Sequence, residues 1–386
     1  MQPDKDVMSK EDMVIQSNRE LSLDTLPISN IKLPLRPGYG KEGRRIVLKT
    51  NYFKMQVDTS KQLYRYHVDV KSDRRKKKQP GESGKKEDPE PEVLGRRTVR
   101  RAFALLFGSL DFESLGEGVA TDFVSTIITT KELELGASGK KTFRIVYLEA
   151  EETAPRRHPT TYTFTISSLG TVPTTELLRY LASTTTDPSD FAGKDDTVQA
   201  LNIIVARTPN FTSGVYQAGK NKFFRYPSDV EKYNHLSGGL IAVRGYYSSV
   251  RTSTMRTLLN INAQCSPFYP AINMVELMSK HSGFQGRDWE ALERFIEKLR
   301  VKTRYLKNED GSTDFRVKTI TGLSHRFEEK KHPVTGKVVK LGNARGDHGN
   351  AEQLSFDCDE FPNDKPITIE RFFKKSKIAL LVFASG

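Results

Sequence analysis

The sequence predicts an α+β protein of two or three domains. Three observations lead there. The chain has 386 residues, more than a single hydrophobic core usually organises. Short runs of period-two alternation occur beside stretches of helical spacing. Breaks at Gly238-Gly239 and at Ser266-Pro267-Phe268-Tyr269-Pro270 divide the chain into a body before and a body after.

Residues 1–34 are polar and mixed in charge and read as a loose tail. Residues 45–53 read as a strand around Ile46-Val47-Leu48. Residues 63–70 alternate, with Tyr64, Tyr66, Val68 and Val70 on one side. Residues 71–95 hold the block Arg74-Arg75-Lys76-Lys77-Lys78 and then an acidic, Pro-rich piece, and read as a disordered loop. The block is either a solvated run or a patch for nuclear localisation or RNA contact. Residues 99–110 have helical spacing through Ala102, Leu105 and Leu106. Strands are expected at 123–130, 142–148 and 161–166. A helix follows Pro173 through Leu177, Leu178 and Leu181, and residues 198–207 are helical or extended.

The pivot of the chain comes next. After the Gly-Gly break lies a strand at 240–243. Tyr246 and Tyr247 follow, flanked by Arg244 and Arg251, and then a second apolar run at 258–261. Beyond it, residues 273–281 form a short helix and Asp288 caps another, with Trp289, Leu292, Phe295, Ile296 and Leu299 on its stripe. Val301, Thr303 and Tyr305 share a strand face, and a turn at 308–311 leads to the hairpin partner Phe315-Arg316-Val317. Residues 325–350 are a Gly- and charge-rich insertion, followed by Leu354-Ser355-Phe356, Ile367-Thr368-Ile369 and Arg371-Phe372-Phe373-Lys374-Lys375.

Composition narrows the partners. Sixty-one basic residues against 48 acidic ones give +13 and a pI near 9.5, which favours nucleic acid over a membrane. The charge is uneven: residues 35–101 hold 20 basic and 9 acidic residues, a net +11, whereas residues 266–386 carry only +4. Cys265 and Cys358, without a C-x-x-C pair, fit a reducing compartment and exclude a disulfide scaffold or zinc finger. The N-terminus has no apolar core for a signal peptide, and no run approaches the ~18 apolar residues of a membrane span. Gly84-Lys85 and Gly139-Lys140 lack the earlier glycine of a P-loop, with Gln79 and Glu134 in its place. His325, His332, Asp347, His348 and Cys358 fit no zinc spacing. No catalytic residue, metal site or cofactor is expected.

Three groups of residues resemble Argonaute proteins. Arg36-Pro37-Gly38-Tyr39-Gly40, Thr50-Asn51-Tyr52-Phe53 and Tyr64-Arg65-Tyr66-His67-Val68 resemble the opening of the N domain. Gly245-Tyr246-Tyr247-Ser248-Ser249-Val250-Arg251, Leu259-Asn260-Ile261-Asn262 and Phe268-Tyr269 resemble the first linker and the start of a PAZ domain. The elements from residue 273 to residue 375 follow PAZ order. The resemblance implies a tail at 1–34, an N domain at 35–169 with a mixed sheet and helices, a linker at 170–265, and at 266–386 an incomplete, OB-like PAZ barrel lacking its last segment.

The same resemblance implies a non-catalytic RNA-binding protein of small-RNA silencing, since the MID and PIWI domains would lie beyond these residues. Its partners would be small single-stranded or duplex RNA and other silencing proteins, in the cytoplasm and, through the basic block, the nucleus. Tyr305, Phe315, Arg316, Phe356, Phe372 and Lys377 would line a pocket for RNA 3′ ends. Tyr305 stands where histidine is usual, Phe372 where tyrosine is usual, and Lys377 where an aromatic or histidine is expected. The rival expectation is an interaction-only or non-functional fragment that binds no RNA because its PAZ domain is unfinished. A separate alternative reads Phe356 and Phe372 as core aromatics of a small barrel.

Overall fold

The computed structural model describes residues 5–19, 44, 48–58, 60–73, 94–109, 112, 118–150, 152, 159–184, 191, 193–229, 232, 234–286, 288–307, 313–323, 328–331, 338–341, 355–356 and 366–375. The chain divides into two units: Met1–Tyr147, Pro159–His235 and Ile241–Phe268 form the first, and Leu148–His158, Leu236–Leu240 and Tyr269–Gly386 the second.

The first unit holds two antiparallel sheets. Its strands are β1 (Tyr52–Met55), β2 (Tyr64–Ser72), β3 (Val119–Thr121), β4 (Thr126–Thr129), β5 (Lys140–Val146), β6 (Thr161–Thr171), β7 (Val215–Gln217), β8 (Lys222–Arg225), β9 (Asn234–His235), β10 (Ile241–Ser253) and β11 (Arg256–Phe268). One sheet has the order β3-β4-β2-β6-β5. Alternation gives it an apolar face: Tyr66, Val68, Tyr162, Phe164 and Ile166 are all buried. Helix α2 (Arg96–Phe107) covers that face with Ala102, Phe103 and Leu106. Phe103 meets Phe164 edge-on, with centroids 5.1 Å apart. The buried stripe takes Phe103 where Leu105 is expected, because the large ring fills the space above the sheet.

The second sheet has the order β1-β11-β10-β8-β7, with β9 also on β10. The two apolar runs around the tyrosines are parts of one long hairpin, paired from Ile241↔Phe268 to Ser253↔Arg256. The polar residues between the runs are therefore strand, alternating with the β-branched and aromatic residues that favour a pleated ribbon. Gly245 allows β8 to approach, since a Cβ there would lie 2.2 Å from the Phe223 carbonyl oxygen. Helices α3 (Thr174–Ala182) and α4 (Lys194–Phe211) pack Leu177, Tyr180, Leu181 and Leu201 on Val250, Leu259 and Met55. Residues 198–207 are thus helical. Where β8 ends, the Asn202 side chain accepts the Val250 N–H at 2.9 Å and occupies an otherwise open ladder position. The Glu176 carboxylate accepts the Gly193 N–H at 2.7 Å and ties the start of α4 to α3, while the glycine at the N-cap offers no side-chain cap.

Arg100 joins α2 to the second half of this unit. It lies over Phe123, 4.5 Å from the ring centre, and donates to Gln217 at 2.7 Å and to Asn210. Within the expected loose tail the structure instead has a helix, α1 (Lys5–Arg19), whose Val7 and Val14 are buried seven residues apart on one face.

The second unit begins with α5 (Met274–Ser279), α6 (Ser282–Gln285) and α7 (Trp289–Ile296). Asn273, His281 and Asp288 each accept a backbone N–H at a helix start, Asp288 from Ala291 at 3.0 Å. Three separate two-stranded antiparallel sheets follow: β12 (Arg300–Lys307) with β13 (Thr313–Thr319), β14 (Glu328–Lys331) with β15 (Val338–Leu341), and β16 (Ser355–Phe356) with β17 (Ile367–Thr368). Helix α8 (Ile369–Lys375) succeeds β17 directly. Among the described residues these strands do not close into a barrel. Every strand pairing among the described residues is antiparallel, and strands and helices are segregated as the expected α+β class requires. The excursion between β5 and β6 also belongs to the second unit: Glu149 pairs with Arg300 at 2.5 Å, and Glu152 accepts the Val317 N–H at 3.3 Å.

Candidate nucleic-acid interface

The β12–β13 hairpin carries half of the residues expected to meet RNA. Thr303 lies opposite Arg316 and Leu306 opposite Asp314, so Arg304 and Tyr305 together oppose Phe315 alone. That is a β-bulge, and a bulge re-aims the strand that carries it. It leaves the backbone of Arg304 and Tyr305 in the irregular part of the hairpin, opposite Phe315. The side chain of Tyr305, and so its place on the face expected with Val301 and Thr303, lies outside the described residues.

Phe315 is partly exposed, and the Lys302 ammonium lies 4.1 Å from its ring centre. A ring with a cation on it is a surface that attracts both a base and a phosphate. Arg316, its neighbour in the strand, faces the other way by the period-two rule. Its carbonyl accepts the Thr303 hydroxyl at 3.0 Å, which fastens the regular part of the hairpin. The hairpin is itself fastened at further points besides the Glu152 bond to Val317. Glu149 holds Arg300, and the backbone around Ile320 pairs with Lys298 and Leu299 at 2.8 Å each.

The other expected residues stand elsewhere. Phe356 is in β16 and pairs its backbone with Ile367 rather than with the β12–β13 ladder. Phe372 is 5% exposed, packs on Ile367, and meets Phe373 at 5.4 Å edge-on. Here it is a core ring, which is the alternative reading of that one residue and says nothing of RNA binding. Lys377 lies outside the described residues. Lys302 is the residue that sequence reasoning missed. It and Phe315 sit diagonally across the hairpin, a relation that appears only once the register and its bulge are fixed.

Among the described residues no three His, Cys, Asp or Glu side chains come together in a way that would hold a metal ion. No described helix is long and apolar enough to cross a membrane.

Residues 44–205 match the N-terminal domain of argonaute, and residues 219–270 match the argonaute linker 1 domain. The chain is similar to Protein argonaute MEL1 of Oryza sativa subsp. japonica, 22% identical over 321 residues, covering 80% of this chain and 27% of that protein. It is similar to Protein argonaute 12 of the same organism, 26% identical over 360 residues, covering 91% of this chain and 29% of that protein. Among solved structures it resembles Kluyveromyces polysporus Argonaute with a guide RNA, at 14% identity and a TM-score of 0.45, covering 93% of this chain and 38% of that one. The chain spans about a quarter of the length of the first curated relatives it matches.

Proposed function

Because the chain carries the N-terminal and first linker domains of an Argonaute, we propose that it binds small RNA in gene silencing and positions it rather than cutting it. In this reading the second unit holds the 3′ end of the RNA and the N-terminal domain faces the duplex. One observation carries the end-binding part: the Lys302 ammonium stands over the part-exposed Phe315 ring, on the hairpin whose irregular stretch also holds Tyr305. An aromatic with an adjacent cation is what sequence-independent capture of a strand end requires.

The test is a competition among RNA with a short 3′ overhang, blunt duplex and circular single strand, on wild type, Phe315→Ala and Phe356→Ala. The overhang should win on wild type. Each substitution should lose ~1–3 kcal/mol of overhang binding if one base stacks at that ring. Equal affinity of wild type for all three RNAs would remove the end clamp. Guide-directed cleavage of a matched target in Mg²⁺ would remove the non-catalytic part.

A further inference from the structure

The strands of the linker sheet carry Lys54, Lys222, Arg225, Arg244, Arg251 and Arg256, and no aspartate or glutamate. Strands disfavour acidic residues in general, but they do not thereby gather unpaired cations. Lys54, Arg251 and Arg256 have no carboxylate partner among the described residues.

The register puts these three on one face. Lys54, Leu258 and Arg251 form a cross-strand row, and Ser253 with Arg256 forms the next row on the same side. The opposite face is filled, because Met55, Val250 and Leu259 pack on α3 and α4. On the cationic side Lys54 and Arg251 are exposed, and Tyr52 is 46% exposed. A cleft of about 480 Å³ opens there between β1 and the hairpin tip, lined by Thr50, Tyr52, Arg251, Thr252, Ser253 and Leu258. The Arg256 Nε on this face is buried without a hydrogen-bond partner, a donor that calls for an acceptor.

We propose that this face is a second RNA contact, in which a phosphodiester of a single strand sits in the cleft against Arg251. Lys54 serves the same strand from β1, and Tyr52 offers its ring to a base or ribose. Charge complementarity names the occupant. Cations without carboxylates attract a polyanion, the hydroxyls of Thr50 and Ser253 suit non-bridging oxygens, and the exposed ring suits a nucleotide more than an acidic peptide. The inference rests on the RNA-binding reading but not on the end clamp, since a strand laid along a sheet needs no free end.

The experiment measures affinity for a circular single-stranded RNA at several salt concentrations, with no end available to the clamp. It compares wild type, the Lys54→Ala/Arg251→Ala double variant, and a Lys140→Ala/Arg144→Ala control on β5. Removing two phosphate contacts should make the slope of log affinity against log salt shallower by about 1.4, at ~0.7 for each contact with a single strand. The control slope and both thermal midpoints should stay at wild-type values, because all four side chains are exposed. An unchanged slope in the double variant, or an equal loss in the control, overturns the proposal. So does competition by polyglutamate that matches competition by RNA. The overhang competition on the same proteins separates the two ideas. Overhang preference with an unchanged circular slope keeps the clamp and removes this surface, whereas a shallower slope without overhang preference does the reverse. Absence of all RNA binding removes both.

Discussion

Replacing Arg100 with methionine should destabilise the first unit by about 2–4 kcal/mol. The guanidinium is half-buried, 4.5 Å from the centre of the Phe123 ring, with Gln217 at 2.7 Å and Asn210 as its acceptors. Burial pushes its pKa down, since loss of water penalises the charged form. A guanidinium nevertheless stays protonated in proteins, so the charge remains in place. Two hydrogen bonds from a charged donor contribute ~1.5–3 kcal/mol each when fully shielded, and a partly exposed cation–π contact ~0.5–1 kcal/mol. Exposure to solvent reduces these by roughly half, and methionine keeps the apolar stem, which leaves about 2–4 kcal/mol. At ~2–4 °C per kcal/mol for a body of this size, the thermal midpoint should fall by roughly 8 °C. The assay is thermal unfolding followed by circular dichroism. Arg100→Lys should fall by most of the same amount, because a single nitrogen does not reproduce the planar fork that reaches Gln217 from one nitrogen and Asn210 from the other. A midpoint for Arg100→Met within about 1 °C of wild type would refute the assignment of Arg100 as the bolt between α2 and the rest of the unit.

Three further outcomes are expected. Neutralising Arg74, Arg75, Lys76, Lys77 and Lys78 should flatten the salt dependence of RNA binding, by up to about 3.5 in slope if every charge meets a phosphate, and a slope equal to wild type would show a loop that takes no part. Phe372→Ala should cost ~3–5 kcal/mol of second-unit stability in urea denaturation, because its ring is core; a selective loss of overhang binding at unchanged stability would place it in the RNA site instead. Glu149→Gln should weaken the same unit by ~1–3 kcal/mol through loss of the largely shielded Arg300 pair, read as faster limited proteolysis after residue 269, and wild-type proteolysis would count against that tie.

What the sequence reveals about this fold depends on how local the cause is. Helices α2, α3, α5 and α7 are set by stripes and caps a few residues long, and Asp288 accepts from Ala291 as its position before Trp289 predicts. Strands β2, β5 and β6 follow from alternation alone. The long hairpin is less legible, since its central residues are polar and only the partner strand makes them a ladder. The tail at residues 5–19 is misread for a related reason. Val7 and Val14 are too sparse to announce a helix, and their burial is a tertiary fact. At the candidate site Tyr305 and Phe315 are found from a turn and two flanking runs. The irregularity has no local signature, and Lys302 over Phe315 is a cross-strand relation that only the register reveals, whereas the opposed facing of Arg316 follows from strand periodicity alone. The acid-free linker strands were countable throughout, but a count becomes a surface only when the register decides which cations share a face.

The excursion of residues 148–158 has a consequence for how such a chain can be made and rearranged. During synthesis Glu149 and Glu152 leave the ribosome well before Arg300 and Val317 exist to receive them. The connection between β5 and β6 must therefore wait, while the sheet on either side of it has every strand it needs. Recombination meets the same arrangement from another direction. A segment exchanged from residue 269 onward arrives without the two carboxylates that hold its first hairpin, and the recipient's acids lose Arg300 and the Val317 N–H. Residues 269–386 are thus a module by position in the chain but not by inheritance, and partners for Arg300 and the Val317 N–H have to travel with the N-terminal sheet.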